Sequence, residues 1–229
     1  ATSGKGPVPT TLVFGLDGIS YETFKKMQDG GHFRGFTPVA PMVATFPSIS
    51  DPNWTQLLGL EPETSFTKSF FDPSIKTKTG MGEENGSLMS HMSREPFYER
   101  AMDFKQDGIW EHLTTFIWTE TTGRYWLESL EKKFFEFRGR ETYFALILNT
   151  DILSHTEGEG KIMRYLAQIE ERIEKIQSKY KSIHNADLDV ILVSDHGNAF
   201  FLAKDVAFEP GLEKEGWQMA GTIAGPKDV

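Results

Sequence analysis

The sequence predicts an α/β fold with a central, mostly parallel sheet flanked by helices. Three short runs of apolar, β-forming residues occur in the 229-residue chain, and an acidic residue follows closely after each run. Continuous apolar runs are typical of strands that are buried on both faces of a sheet. A long segment with apolar residues at helical spacing separates the last two runs. Strand, long helix and strand form the βαβ unit that builds parallel sheets, with the strand ends at one edge.

The N-terminal part of the chain supplies the first strand and two helices. The run Thr11–Leu16 is the first predicted strand. Ser20 is a suitable cap for a helix over Tyr21–Gln28, and a second helix is predicted to begin near Asp51. The N-terminus of this second helix would aim backbone N–H groups at the preceding loop, where they can help to bind a phosphate group.

The remaining elements follow a long stretch with little periodicity. Residues 63–85 are rich in Thr, Ser, Lys and Gly and are predicted to form a surface excursion. Residues 109–138 have helical character, and residues 143–148 form the second predicted strand. A long helix over 160–181 and a third strand over 190–193 complete the pattern.

Composition excludes several classes of protein. The chain carries 33 acidic against 24 basic residues, so it lacks the basic surface of a general nucleic-acid binder. It has no cysteine, which excludes disulfides, thiolate zinc sites and a cysteine nucleophile. No apolar run is long enough to cross a membrane, and the motifs of dinucleotide oxidoreductases, P-loop NTPases and zincin proteases are absent from the sequence.

Residues 1–10 are interpreted as a linker or a processed N-terminus, and residues 11–229 as a single domain. The last residues resemble a strand and a turn that lead onward, so the domain is expected to be incomplete at its C-terminus.

Carboxylate and imidazole side chains collect near the ends of the predicted strands. Asp17 follows the first strand, Asp151 and His155 follow the second, and Asp195 and His196 follow the third. Each one alone has an ordinary structural interpretation, such as a helix cap or a turn residue. Together they are the ligand types that zinc and manganese prefer, so the set predicts a metal site at this edge of the sheet.

Four motifs occur in a recognisable order: Leu16-Asp17-Gly18, Ala44-Thr45-Phe46-Pro47-Ser48, Asp151-Ile152-Leu153-Ser154-His155 and Ser194-Asp195-His196-Gly197. In this order the chain resembles the alkaline phosphatase superfamily and is most similar to its nucleotide pyrophosphatase/phosphodiesterase branch. The resemblance implies an alkaline-phosphatase-like fold and metal-dependent hydrolysis of phosphodiesters or other phosphate esters. It also implies two divalent metal ions, with zinc expected, and a small phosphate ester or a nucleotide as substrate.

Transferred to the matching positions, the resemblance makes Thr45 the nucleophile. It implies that Asp17, Asp195 and His196 hold one metal ion, which also contacts Thr45, and that Asp151 and His155 hold the second. The hydroxyl of a threonine is a poor nucleophile near neutral pH, and a divalent cation activates it while offsetting phosphoryl charge.

The stretch after Thr45 departs from the family pattern. Ser48 and Ser50 are nearby hydroxyls that remain alternatives to Thr45. Asn53 is a candidate for phosphate binding. Phe46 and Trp54 are candidates for stacking on a flat substrate group, and a buried packing role for Trp54 remains an alternative.

The family also has a histidine ligand downstream of its Asp-His motif, whereas no histidine follows His196 here. We therefore expect an incomplete second metal site and weak activity for this chain alone. The alternatives are another superfamily reaction, such as phosphomonoester or sulfate-ester hydrolysis or phosphoryl transfer, and a binding protein that retains the scaffold. The resemblance alone favours an extracytoplasmic location.

Overall fold

The computed structural model describes residues 6–45, 48–60 and 119–198, together with short stretches at 70–72, 77–79, 98, 101–105, 200, 214, 217–220 and 223–226. By its internal contacts the chain divides into two compact units. The first comprises Ala1–Leu60 and Phe97–Phe200, and the second comprises Glu61–Pro96 and Phe201–Val229. All the predicted site residues belong to the first unit.

The helices and strands of the described residues are, in chain order, β1 (Thr11–Leu16), α1 (Tyr21–Asp29), α2 (Ser50–Leu57), β2 (Phe70–Asp72), β3 (Thr77–Thr79), α3 (Thr119–Glu136), β4 (Thr142–Ile147), α4 (Asn149–Thr156), α5 (Glu159–His184), β5 (Asp189–Val193), β6 (Trp217–Ala220) and β7 (Ile223–Pro226). In the second unit, β2 pairs with β3 and β6 pairs with β7, both antiparallel. Among the described residues, no helix is long and apolar enough to cross a membrane.

The first unit contains a three-stranded parallel sheet in the order β4-β1-β5. Helices join and cover these strands, so the α/β class is confirmed. In the central strand β1, the side chains of Leu12, Phe14 and Leu16 are buried, as expected for a strand with neighbours on both sides. The prediction of burial on both faces is wrong for β5. It pairs with β1 on one side only within the described residues, and Ile191 is 51% exposed.

Helices α1 and α5 are the elements that local sequence signals explain most clearly. The Ser20 Oγ accepts the Thr23 backbone N–H at 3.1 Å and caps α1, which Gly30 closes. In α5, one apolar stripe is buried throughout its length: Ile162, Tyr165, Leu166, Ile169, Ile173, Ile176 and Tyr180. This periodicity is the reason the helix packs along one face.

Helix α2 is anchored on β1 by one large side chain. Trp54 is 1% exposed, and its ring occupies the space over Gly15, where a Cβ atom would lie 2.7 Å from the ring. The ring also stacks on Tyr98 with centroids 6.5 Å apart. A side chain at position 15 would displace the ring, so the glycine allows α2 to sit close to the carboxyl end of β1.

The predicted helix over 109–138 appears as α3, and residues 106–118 lie outside the described part of the chain. Glu131 of α3 accepts charge-assisted hydrogen bonds from Arg172 at 2.6 Å and Lys179 at 2.8 Å of α5. Within the predicted excursion at 63–85, the described residues are those of β2 and β3.

Candidate metal centre

The register of the sheet brings Asp17 and Asp195 side by side. Gly15 of β1 is the register partner of Val193 of β5, and each aspartate lies two residues beyond its strand's member of this pair. The Gly18 backbone N–H donates to Asp195 Oδ1 at 3.2 Å, which fixes the Asp195 carboxylate beneath the turn that follows β1. The strand ends therefore position two carboxylates at one place.

His196 completes a compact group with these two carboxylates. Its Nε2 atom lies 3.4 Å from Asp17 Oδ1 and 3.5 Å from Asp195 Oδ2. One donor atom from each of the three residues lies within 4.8 Å of the others. Both aspartates are 3% exposed, so the group is shielded from solvent. A buried cluster of two oxygen donors and one nitrogen donor can hold a divalent metal ion.

The electrostatics of this group favour a cation. Burial, followed by the negative charges of Asp195 and Asp151, holds the pKa of the Asp17 carboxyl well above its usual range. Burial also raises the pKa of Asp195, although His196 and backbone N–H groups act in the opposite direction. Asp195 Oδ2 is buried and accepts no hydrogen bond within the part of the chain that the structure describes. Buried, mutually repelling carboxylates need protons or a metal ion nearby.

Two residues beside the Asp-His pair hold its backbone in place. The Ser194 Oγ accepts the Ile19 N–H at 3.0 Å and donates to the His196 carbonyl at 2.8 Å. A Cβ atom at Gly197 would lie 2.6 Å from the Cβ of Ser20, so this position needs a glycine. The Ser-Asp-His-Gly motif thus packs tightly against the start of α1.

Asp151 and His155 lie together on α4, with His155 Nε2 3.3 Å from Asp151 Oδ1. The pair is close to the first group: a Cβ atom on Gly18, whose φ is +71°, would lie 2.4 Å from Asp151 Oδ1. Asn198 Nδ2 donates to Asp151 Oδ1 at 2.8 Å and also contacts Ser154 Oγ. Asp151 and His155 therefore offer one oxygen and one nitrogen atom that could bind a metal ion.

The loop before α2 contains the other predicted residues. The Thr45 backbone N–H donates to Asn53 Oδ1 at 2.6 Å, and Asn53 Nδ2 donates to the Ile49 carbonyl at 2.7 Å. Asn53 is buried, so both ends of its amide hold the loop in place. Trp54 is buried in the core instead of being open to a substrate, whereas Phe46 lies outside the described residues.

Ser50, the first residue of α2, is the hydroxyl that the structure places at the group of Asp17, Asp195 and His196, the candidate metal site. Its Oγ donates to Asp17 Oδ1 at 3.1 Å and lies 3.2 Å from His196 Nε2. The sequence predicts Ser50 only as an alternative to Thr45 and indicates no role for Asn198. The helix predicted to begin near Asp51 indicated that Ser50 lies near a helix start, but not that this helix docks on β1. The place of Asn198 directly after the Asp-His-Gly motif was the available signal for Asn198.

A cavity of about 500 Å³ opens beside Asp195 and His196. The side chains of Phe24, Phe36 and Val39 line it together with residues of β5. The cavity is large enough for part of a small-molecule substrate. Both polar and apolar residues line it, and it lies directly beside the candidate metal site.

Comparison of the chain with protein-family models, with curated proteins and with solved structures finds no match. The basis for a functional proposal is therefore the candidate metal site and the order of the sequence motifs.

Proposed function

We propose that this chain is a metal-dependent hydrolase of phosphate esters, with phosphodiesters as the first substrate class to test. The observation that carries the proposal is the buried group of Asp17, Asp195 and His196, in which Asp195 Oδ2 has no hydrogen-bond partner among the described residues. The resemblance of the ordered motifs to the nucleotide pyrophosphatase/phosphodiesterase branch supports the same chemistry.

In this proposal, Asp17, Asp195 and His196 hold a divalent ion, for which zinc is suited by its preference for oxygen and imidazole donors. When bound, the ion lowers the pKa of a neighbouring hydroxyl or water and offsets negative charge on phosphoryl oxygens. The need for such a cation is strong in a chain with nine net negative charges, because an anionic ester would otherwise be repelled.

Asp151 and His155 would hold a second ion. Their donor atoms are 3.3 Å apart, and the charge of Asp151 contributes to the raised pKa of Asp17. Two protein ligands are fewer than the three of a typical catalytic zinc site, so we expect metal occupancy nearer one than two per chain.

A hydroxyl of the loop before α2, or of the first residue of α2, would attack phosphorus. The resemblance places Thr45 in this role, and Asn53 holds the Thr45 backbone by the 2.6 Å hydrogen bond described above. The cavity beside Asp195 and His196 offers room for the leaving group.

The test combines metal stoichiometry with turnover of three aryl esters. Zinc-loaded chain is assayed with bis(4-nitrophenyl) phosphate, 4-nitrophenyl phosphate and 4-nitrophenyl sulfate, beside Asp195→Asn and the control Asp187→Asn. Asp187 is an exposed residue paired with Lys181 at 2.8 Å, so its substitution should change nothing. We expect zinc-dependent diester hydrolysis that Asp195→Asn abolishes together with tight zinc binding.

Faster turnover of the monoester or the sulfate would assign the chain to one of those reactions. Zinc binding without turnover of any ester would instead favour a binding protein that retains the scaffold.

A further inference from the structure

The hydroxyl of Ser50 lies beside two of the atoms that could bind the metal ion at the candidate metal site. The Ser50 Oγ atom is 3.1 Å from Asp17 Oδ1 and 3.2 Å from His196 Nε2, and these two donors are themselves 3.4 Å apart. The three atoms thus form a nearly equilateral triangle. Asp195 Oδ2 lies 3.5 Å from the same His196 nitrogen.

These separations match the edges of a tetrahedral zinc site. Ligand atoms of such a site are about 3.3–3.4 Å apart, because bonds of roughly 2.0–2.1 Å meet at tetrahedral angles. Four edges among the Asp17, Asp195, His196 and Ser50 atoms measure 3.1, 3.2, 3.4 and 3.5 Å. Asp17, Asp195 and His196 supply three of the four ligands of a tetrahedral site, and the Ser50 oxygen lies at ligand-to-ligand distance from two of them, Asp17 Oδ1 and His196 Nε2.

Core packing holds Ser50 beside these donor atoms. Trp54 lies one helical turn after Ser50, so the two side chains share a face of α2. The Trp54 ring is seated over Gly15, and Asp17 follows two residues later in the chain. Docking of the tryptophan on β1 therefore delivers the serine to the end of the same strand. The position of Ser50 follows from the fold and does not depend on a surface loop alone.

We propose that Ser50 Oγ is both the fourth donor of this site and the attacking atom of the reaction, in place of Thr45. This inference rests on the proposed phosphate-ester hydrolysis. The bond from Ser50 Oγ to phosphorus forms as the bond from phosphorus to the leaving oxygen breaks. The serine proton passes to water, and the leaving oxygen takes a proton from water, so the alcohol departs neutral. A second water molecule then hydrolyses the phosphoserine ester, which restores Ser50 and releases the phosphate product.

The first test measures metal binding without turnover. Zinc affinity is determined by competition with a chromophoric chelator for the wild-type chain, Ser50→Ala, Thr45→Ala and the matched control Ser48→Ala, an exposed serine of the same loop. Circular dichroism checks that each variant is folded. We expect Ser50→Ala to lower zinc affinity by roughly tenfold or more, and Thr45→Ala and Ser48→Ala to change it by less than about twofold. Loss of affinity in Thr45→Ala but not in Ser50→Ala would overturn the inference.

The second test locates the covalent adduct. Zinc-loaded chain is mixed with bis(4-nitrophenyl) phosphate, quenched in acid and digested, and tandem mass spectrometry identifies the phosphorylated side chain. We expect the adduct on Ser50, its loss in Ser50→Ala, and its retention at the same position in Ser50→Thr. An adduct on Thr45 would overturn this inference and leave the proposed function intact. A zinc-loaded chain that forms no adduct and turns over no ester would overturn both.

Discussion

Asp17→Asn should make the metal-free chain more stable while it removes the response to zinc. The substitution keeps the shape of the side chain and removes its charge. The amide oxygen can still accept the Ser50 hydroxyl, which donates to Asp17 Oδ1 at 3.1 Å, and the new amide N–H can donate to a carboxylate. The repulsion from Asp195 and Asp151, which helps to raise the pKa of Asp17, disappears.

The magnitude follows from that raised pKa. Each unit by which the folded-state pKa exceeds the ordinary value costs folding about 1.4 kcal/mol once the pH is above both values. Because the pKa of Asp17 lies well above its usual range, we expect Asp17→Asn to be more stable than the wild-type chain at pH 7.5 without metal. Zinc at 100 times its dissociation constant would stabilise the wild-type chain by about 2.7 kcal/mol and the variant by far less.

The assay is urea unfolding in the presence of a chelator and again with zinc, beside the exposed control Asp187→Asn. We expect the order of stability of the wild-type chain and Asp17→Asn to reverse on adding zinc, and the control to follow the wild-type chain. A variant that is less stable than the wild-type chain without metal, or that gains equally from zinc, would refute the reasoning.

Four further predictions concern the same region. Gly18→Ala should lower the free energy of unfolding more than Gly59→Ala, as measured by urea unfolding. Both glycines have a positive φ, which costs an alanine about 1–2 kcal/mol. At Gly18 the added Cβ would also collide with the Asp151 carboxylate, which adds about 1–3 kcal/mol. The metal-free chain should lose stability as the pH rises above the ordinary carboxyl range. The raised pKa values of Asp17 and Asp195 give stability that is full below their ordinary values and is lost as the pH passes the folded-state values. Zinc affinity should rise over the same pH range in chelator competition, because zinc displaces those protons. Trp54→Ala should cost about 3–5 kcal/mol in thermal unfolding, whereas an increase in KM with unchanged stability would show a substrate contact instead.

Local patterns allowed much of the fold to be predicted. The bounds of β1 and the Ser20 cap of α1 were predicted correctly, because apolar run length and capping chemistry are properties of adjacent residues. The gathering of Asp17, Asp195 and His196 was also predictable, since the carboxyl ends of parallel strands meet at one edge.

Contacts between distant segments were not predictable in the same way. The approach of Ser50 to Asp17 depends on the docking of Trp54 over Gly15, and no local pattern in the loop indicates that docking. Continuous apolarity likewise predicted that β5 is buried on both faces, yet burial depends on which strands pair with it. The role of a residue such as Ser50, which depends on packing between distant segments, becomes visible only in the three-dimensional structure.

The hydrogen bond from Gly18 to Asp195 joins residues that are 177 positions apart in the chain. Forming such a contact closes a large loop of chain, which is entropically costly. A metal ion held by Asp17, Asp195 and His196 would bridge the ends of β1 and β5 and would have no equivalent site in the unfolded chain. The time at which a refolding chain first takes up zinc would then mark the pairing of these two strands, and the rate of zinc release would set an upper limit on how often they separate.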